Sequence, residues 1–174
     1  LGDELRTAYP DDFKYVARAG SGDFTIAAGE NKFTQTGCFI EPDGPELFSF
    51  HMLQGARNTL KDPGSIMLSK SLATKLFGSE DPIGKTVRIT NIISLTVAGV
   101  YEDMPLNSHW YNVSFFGAWD KYVNTWSWLK NVKDNWETNV SRLFVQVADH
   151  ADMEKVSARI SGVLERKEPG TDYT

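Results

Sequence analysis

The sequence predicts a mixed α+β fold, and three observations carry that prediction. Residues 65–103, SIMLSKSLATKLFGSEDPIGKTVRITNIISLTVAGVYED, spell strand, short helix, tight turn, strand, loop, strand. Both ends of the chain show strand and helix patterns in succession. The middle is richer in short strands and Gly/Pro turns.

Within the 65–103 unit the local signals agree with one another. Ile66, Met67 and Leu68 form an apolar run after Pro63-Gly64, and Ser69 is placed to cap the helix that follows. Leu72, Ala73, Leu76 and Phe77 fall on one helical face. Gly78 sits where a left-handed C-cap is cheapest for glycine. Pro82 and Gly84 turn the chain into Thr86–Ile89, and Leu95–Val100 makes the next strand.

Upstream, Leu1, Leu5 and Ala8 share a helical face that ends at Pro10. Phe13–Arg18 alternates as a strand, and Gly20-Ser21-Gly22 is expected to break it. Phe24–Ala28 and Lys32–Thr36 read as a hairpin turning at Gly29-Glu30-Asn31. Cys38–Ile40 reads as a separate short strand stopped by Pro42-Asp43-Gly44-Pro45. Glu46–Leu53 is apolar enough for a short helix or a buried strand, and periodicity does not decide between them. Asn58–Gly64 reads as a polar loop.

Downstream, Glu102–Trp110 is a loop and Tyr111–Phe116 a strand. Residues 119–136 hold four of the five tryptophans, and WDKYV at their head suggests a helix. Arg142–Ala148 alternates as a strand, Asp149 serves as N-cap, and Met153, Val156, Ile160, Val163 and Leu164 line a helix over Ala151–Arg166. Pro169-Gly170 ends it, and Thr171–Thr174 opens a further strand.

The chain has 174 residues, 41% hydrophobic and 24% charged, with a net charge of −5 and a pI near 5.2. That balance argues against a nucleic-acid partner, and no Lys/Arg cluster opposes it. No run approaches the ~20 apolar residues a membrane span needs. The first residue is not Met, which suggests a piece of something longer. A lone Cys38 makes no internal disulfide.

Chemistry is sparse. GSEDPIGKT, Gly78–Thr86, looks like a phosphate-binding loop but has five residues, not four, before the Gly-Lys-Thr. Pro82 offers no N–H, Glu80 and Asp81 repel phosphate, and the loop leaves a helix for a strand. His51, His109 and His150 have no metal-type spacing. Ser65 or Ser108 with His109 and Asp103 makes a trio on paper, without a nucleophile elbow. Cys38 with His109 is no better supported. The carboxylate pairs Glu80-Asp81 and Glu102-Asp103 are adjacent and diverge. No catalytic residue, cofactor or metal is expected. The tryptophan-rich stretch alone suggests a partner or ligand surface, through Trp119, Trp126, Trp128 and Trp136; its competing reading is core under a long connection.

SIMLSKSLATKLFG, EDPIGKTVRI, LTVAGVYEDMP and Asn107-Ser108-His109, preceded by Phe48, Phe50, Gly55 and Leu60-Lys61-Asp62-Pro63, resemble the MacB-like periplasmic core domain of FtsX-type ABC transporter permeases. LRTAYPDDFKYVAR and NVSRLFVQVADHADMEKVSARISGVL resemble the opening and closing elements of such domains. The resemblance implies a porter-like α/β subdomain from residues 1–45 plus 140–174, with a β-rich Sabre-like subdomain, 46–139, inserted. It implies a periplasmic portion of a bacterial inner-membrane protein, flanked by transmembrane helices and served by a separate cytosolic ATPase. A periplasmic partner protein or exported substrate would complete the set, and the role would be to transmit conformational change. Phe77, Gly78, Pro82 and Gly84 would then be a structural signature. Two rivals stand beside this: a ligand-binding or sensor domain using residues 119–136, and a small hydrolase built on Ser108 and His109.

Overall fold

The computed structural model describes residues 1–126, 128–129, 141–163 and 166. In order these form α1 (Gly2–Ala8), β1 (Phe13–Ala28), β2 (Asn31–Ile40), α2 (Gly44–Leu47), β3 (Met52–Gly55), a 3-10 turn (Arg57–Lys61), β4 (Ser65–Ser69) and α3 (Lys70–Phe77). They continue with β5 (Thr86–Ile89), β6 (Ile93–Tyr101), β7 (Phe115–Ala118), α4 (Trp119–Thr125), β8 (Arg142–Val147) and α5 (Met153–Ile160).

All eight strands share one mixed sheet, ordered β2-β7-β4-β6-β5-β1-β8, with β3 added to β6. Because β1 also pairs with β2, the path from β2 to β1 closes into a ring. Pairing is antiparallel except for β2 with β7 and β4 with β6. Successive side chains leave a strand on opposite faces, so the two faces carry separate cores. Ile26, Phe39, Ile66, Leu68, Val97 and Phe115 join Leu72, Ala73 and Leu76 of α3 and Trp119 and Val123 of α4. Their neighbours in sequence, Cys38, Ile40, Met67 and Phe116, turn the other way and meet Phe50, Tyr101 and Trp110. Burial on both faces explains why β4 and β7 read as unbroken apolar runs. A third, smaller core gathers Leu5, Phe13, Val16 and Val156, where α1 and α5 cover β1 and β8.

Several local expectations change. Gly20-Ser21-Gly22 does not break β1. It lies inside a ladder running from Ala19↔Ile40 to Ala28↔Asn31, which supplies the hydrogen bonds the glycines' weak strand preference does not. Cys38–Ile40 is therefore the end of β2, not a strand of its own. Glu46–Leu53 is neither helix nor strand throughout: α2 starts earlier, at Gly44, Ser49 takes a positive φ, and β3 begins at Met52. The polar loop at 58–64 contains the 3-10 turn, held down by buried Leu60. The strand expected from Tyr111 begins only at Phe115, beyond an exposed Tyr111. Asp152, rather than Asp149, caps α5, its Oδ1 accepting from the N–H groups of Glu154 (2.9 Å) and Lys155 (3.4 Å). That helix stops at Ile160, before Gly162 at φ +72°. Gly78 has the expected positive φ, +64°, but with ψ −123° it is not a left-handed helical cap. The strand expected over 171–174 lies outside the described residues.

Candidate functional site

The four residues expected as a structural signature lie at one turn, and two of them, Gly78 and Pro82, line a groove. Ser69 Oγ accepts from the Leu72 N–H (3.2 Å), as the sequence predicts. Asp103, just past β6, accepts from Ser71 Oγ (2.7 Å) and from the Ser71 N–H (3.2 Å), so the N-terminus of α3 is tied to the end of β6. At the other end of α3 the Gly78 N–H donates to Thr74 O (2.8 Å). The turn then closes on β6: the Gly84 N–H donates to Val97 O (2.8 Å), and the Val97 N–H donates to Lys85 O (2.9 Å). Gly84 takes φ +78°, and Pro82 is buried.

Lys85 is engaged within the turn itself. Its ammonium pairs with Glu80 and lies 5.2 Å from the Phe77 ring centroid. The hydrogen bond from Lys85, then its charge, hold the Glu80 carboxyl below its ordinary range. Beside this turn an open groove of about 240 Å³ runs between α3 and β3, lined by Leu53, Gln54, Lys70, Thr74, Pro82 and Val100.

The tryptophans are dispersed. Trp119 is in the core beside Tyr122, 5.8 Å between ring centroids. Trp126 is half-buried against Tyr122 (4.8 Å) and Phe39 (6.3 Å). Trp128 is 51% exposed. Trp136 lies outside the described residues.

The nucleophile and histidine trios do not assemble. Ser108 Oγ accepts from the Trp110 N–H (3.1 Å), His109 Nε2 meets Arg142 Nη1 (2.8 Å), and Asp103 is engaged by Ser71. His51 Nδ1 meets Glu102 (2.7 Å) on the surface, and His150 lies by an exposed pocket at the end of β8. Cys38 is wholly buried, and burial pushes its thiol up to about 12, leaving no thiolate at neutral pH. Among the described residues no group of three or more His, Cys, Asp or Glu is arranged to hold a metal ion.

What sequence reading missed is an ionic clasp. Glu41, directly after β2, has a side chain only 8% exposed. One carboxylate oxygen accepts from the Arg18 N–H (2.8 Å) and pairs with Arg6; the other accepts from Arg18 Nε (2.8 Å). Arg6 also donates to Val16 O (2.6 Å) and reaches Asp3 (3.0 Å). Burial pulls the Arg6 pKa down, but the hydrogen bond and charge of Glu41, with Asp3 and Asp43, outweigh it and leave the pKa raised. The clasp joins α1, β1 and the end of β2. A second buried carboxylate, Asp12, pairs with Arg159 and fastens α5 to the start of β1. Neither has a spacing signature, because the partners are brought together by the fold.

The family model for the MacB-like periplasmic core domain matches residues 1–163. The chain belongs to that family. This MacB-like core domain is similar in fold to the periplasmic region of MacB from Actinobacillus actinomycetemcomitans, with TM-score 0.73, 17% identity, and 95% of this chain and 72% of that one covered. A domain of a putative permease protein from Porphyromonas gingivalis gives 0.75 at 20% identity, covering 97% and 76%. The extracellular domain of the noncanonic ABC-type transporter YknZ from Gram-positive bacteria gives 0.65 at 18%, covering 95% and 80%. No curated protein matches the chain. The MacB-like core domain is thus an extracytoplasmic domain of an ABC transporter permease, a family that is not an enzyme family. Among the described residues no helix is long and apolar enough to cross a membrane.

Proposed function

We propose that this domain is non-catalytic and transmits conformational change between the membrane and ATPase parts of its permease and a periplasmic partner or exported substrate. Flanking transmembrane helices would be its immediate neighbours and a separate cytosolic ATPase its source of motion. The observation that carries the reading is the Glu41 clasp. It welds the first helix of the chain to β1 and β2, so a displacement of α1 is passed to the sheet rather than absorbed locally. The division into residues 1–45 plus 140–174 and residues 46–139 belongs to this proposal. Its support is the small third core, drawn only from the chain ends.

The test uses the parent permease with its ATPase in membranes. Glu41→Ala should leave ATP hydrolysis in place while transport falls, at equal amounts of folded domain. Undiminished transport would sink the proposal. A second reading, a sensor surface at Trp126 and Trp128, is favoured by the half exposure of Trp128 next to Trp126. It requires peptides or glycans to quench tryptophan fluorescence in the wild type and not in Trp126→Ala or Trp128→Ala.

A further inference from the structure

The first and last described helices are fastened to the same strand. α1 is held to β1 by the Glu41 clasp, and α5 is held to the start of β1 by the Asp12–Arg159 pair. Asp12 is only 3% exposed, and its Oδ2 accepts no hydrogen bond among the described residues, so this buried carboxylate relies on Arg159 for its counter-charge. Its main chain ties the same place together: the Asp12 N–H donates to Tyr9 O (3.1 Å), and Asp12 O accepts from the Ala148 N–H (2.9 Å) just past β8.

Tyr9, directly after α1, also joins the two helices to each other. Its hydroxyl donates to Arg159 O (3.3 Å) and accepts from Arg166 Nη2 (3.1 Å), residues 150 and 157 positions away. In the third core Leu5 and Tyr9 meet Val156 and Ile160 over Phe13 and Val16 of β1. Helices of seven and eight residues are marginal on their own in water, so each depends on that shared core. Lifting either one off β1 uncovers the apolar face of the other and breaks the tyrosine bridge. The path from α1 to the sheet uses none of this.

We infer that α1 and α5 form one cooperative unit, a coupler that opens and closes together and links the first and last helices to each other as well as to the sheet. Tyr9 is its joint, and Glu41 and Asp12 are its two anchors on β1. A displacement that loosens α1 loosens α5, and the reverse. The use of this coupler in a permease rests on the transmission reading: movement entering at one helix is passed to the other directly. The coupling itself is tested on the 174-residue chain by local opening, and transmission by transport in membranes, so either can fail without the other.

Native-state hydrogen exchange, read amide by amide by NMR at low urea concentrations, measures that opening. The Leu5 and Tyr9 amides report on α1, and the Val156 and Ser161 amides on α5. In the wild type the four should share one protection factor and one urea dependence, while Thr96 and Val97 in β6 exchange more slowly. Arg159→Ala acts on α5, yet it should speed all four amides by one common factor, about tenfold or more. Glu41→Ala acts on α1 and should likewise speed Val156 and Ser161 together with Leu5 and Tyr9. Tyr9→Phe keeps the ring in the core and removes only the hydroxyl, so it folds where the other two are damaged; it should speed both helices by a smaller common factor, about threefold. Circular dichroism confirms that each variant is folded. Acceleration confined to the helix that carries the substitution overturns the inference. So does exchange of both helices at the β6 rate, which would leave no separate unit.

Discussion

Glu41→Ala should be the most damaging single change among the polar residues. The carboxylate takes hydrogen bonds from the Arg18 N–H and Nε and pairs with Arg6, and its side chain is 8% exposed. Removing it leaves the Arg18 guanidinium, 19% exposed, with Asp3 alone as partner, an exposed carboxylate whose two oxygens each accept from Arg18 Nη2 at 3.3 Å. Truncating one partner of a buried pair costs about 3–5 kcal/mol, and the partial exposure of both arginines sets this case at or below the low end. Arg6 is a third open to water, at 32%, and recovers part of that through solvent. The expected cost is therefore about 3 kcal/mol. At about 2–4 °C per kcal/mol for a chain of this size, the melting temperature should fall by about 6–12 °C. Urea unfolding followed by tryptophan fluorescence gives the free energy directly. Glu41→Gln keeps an acceptor but loses the charge and should fall between wild type and Ala. Raising salt to about 1 M should leave the Glu41→Ala difference largely in place, since buried pairs are weakly screened. A loss below about 1 kcal/mol would refute the clasp as a structural weld, and with it the support for transmission through α1.

Other perturbations separate backbone from packing effects. Gly37→Ala builds a Cβ 2.0 Å from Cζ of Phe115, a ring with no exposed face to retreat to, so urea unfolding should show a loss of at least about 2 kcal/mol. Gly84→Ala meets nothing within 4 Å, and only its φ of +78° opposes it; the same measurement should show about 1 kcal/mol. Cys38 and Tyr101 both have pKa values raised by burial, so their contribution to stability is fully present below their unfolded values. For Cys38 it is lost as pH rises from about 9 toward 12, and for Tyr101 only above its ordinary value of 10.0. Cys38→Ala should flatten that alkaline decline, measured by urea midpoints across the pH range, and an unchanged slope would deny Cys38 a part in it. Ellman's reagent should leave the native thiol untouched at pH 8 and label it once the chain unfolds. Mg-ATP should not raise the melting temperature, and a large rise would refute the turn reading of Gly78–Thr86.

The sequence made visible what is encoded by neighbours. Ser69, Pro82, Gly84 and the face Leu72, Ala73, Leu76 act within a turn or two of themselves, and the 65–103 unit has the expected order of elements, though Gly78 is not a left-handed cap and the last strand starts at Ile93 rather than Leu95. Elements whose state depends on distant pairing were harder. Gly20-Ser21-Gly22 reads as a break because its intrinsic preference is weak, and only the facing residues Gly37–Phe39 make it strand. Ring closure through Ile26↔Ile89 and Ala27↔Arg88 has no local trace either. The groove was half legible: Gly78 and Pro82 announced a turn, but β3 was hidden in an apolar run whose periodicity fitted helix and strand equally. Glu41 stands directly before Pro42 with no local partner, and its two arginines lie 35 and 23 positions away.

The ring also constrains what kind of motion the domain can carry. β1 is 16 residues long and lies wholly in the half formed by the chain ends: its first part pairs with β8 and its length from Ala19 onward with β2, both of that half, while Ile26 and Ala27 pair across the division with β5. Sliding one half against the other would break those two pairs and the four that join β2 to β7, from Gly37↔Phe115 to Ile40↔Ala118. Each lost pair would strand backbone groups at about 1 kcal/mol or more. A change arriving through α1 and the clasp is therefore cheaper to pass on as a movement of the whole sheet than as a hinge within it.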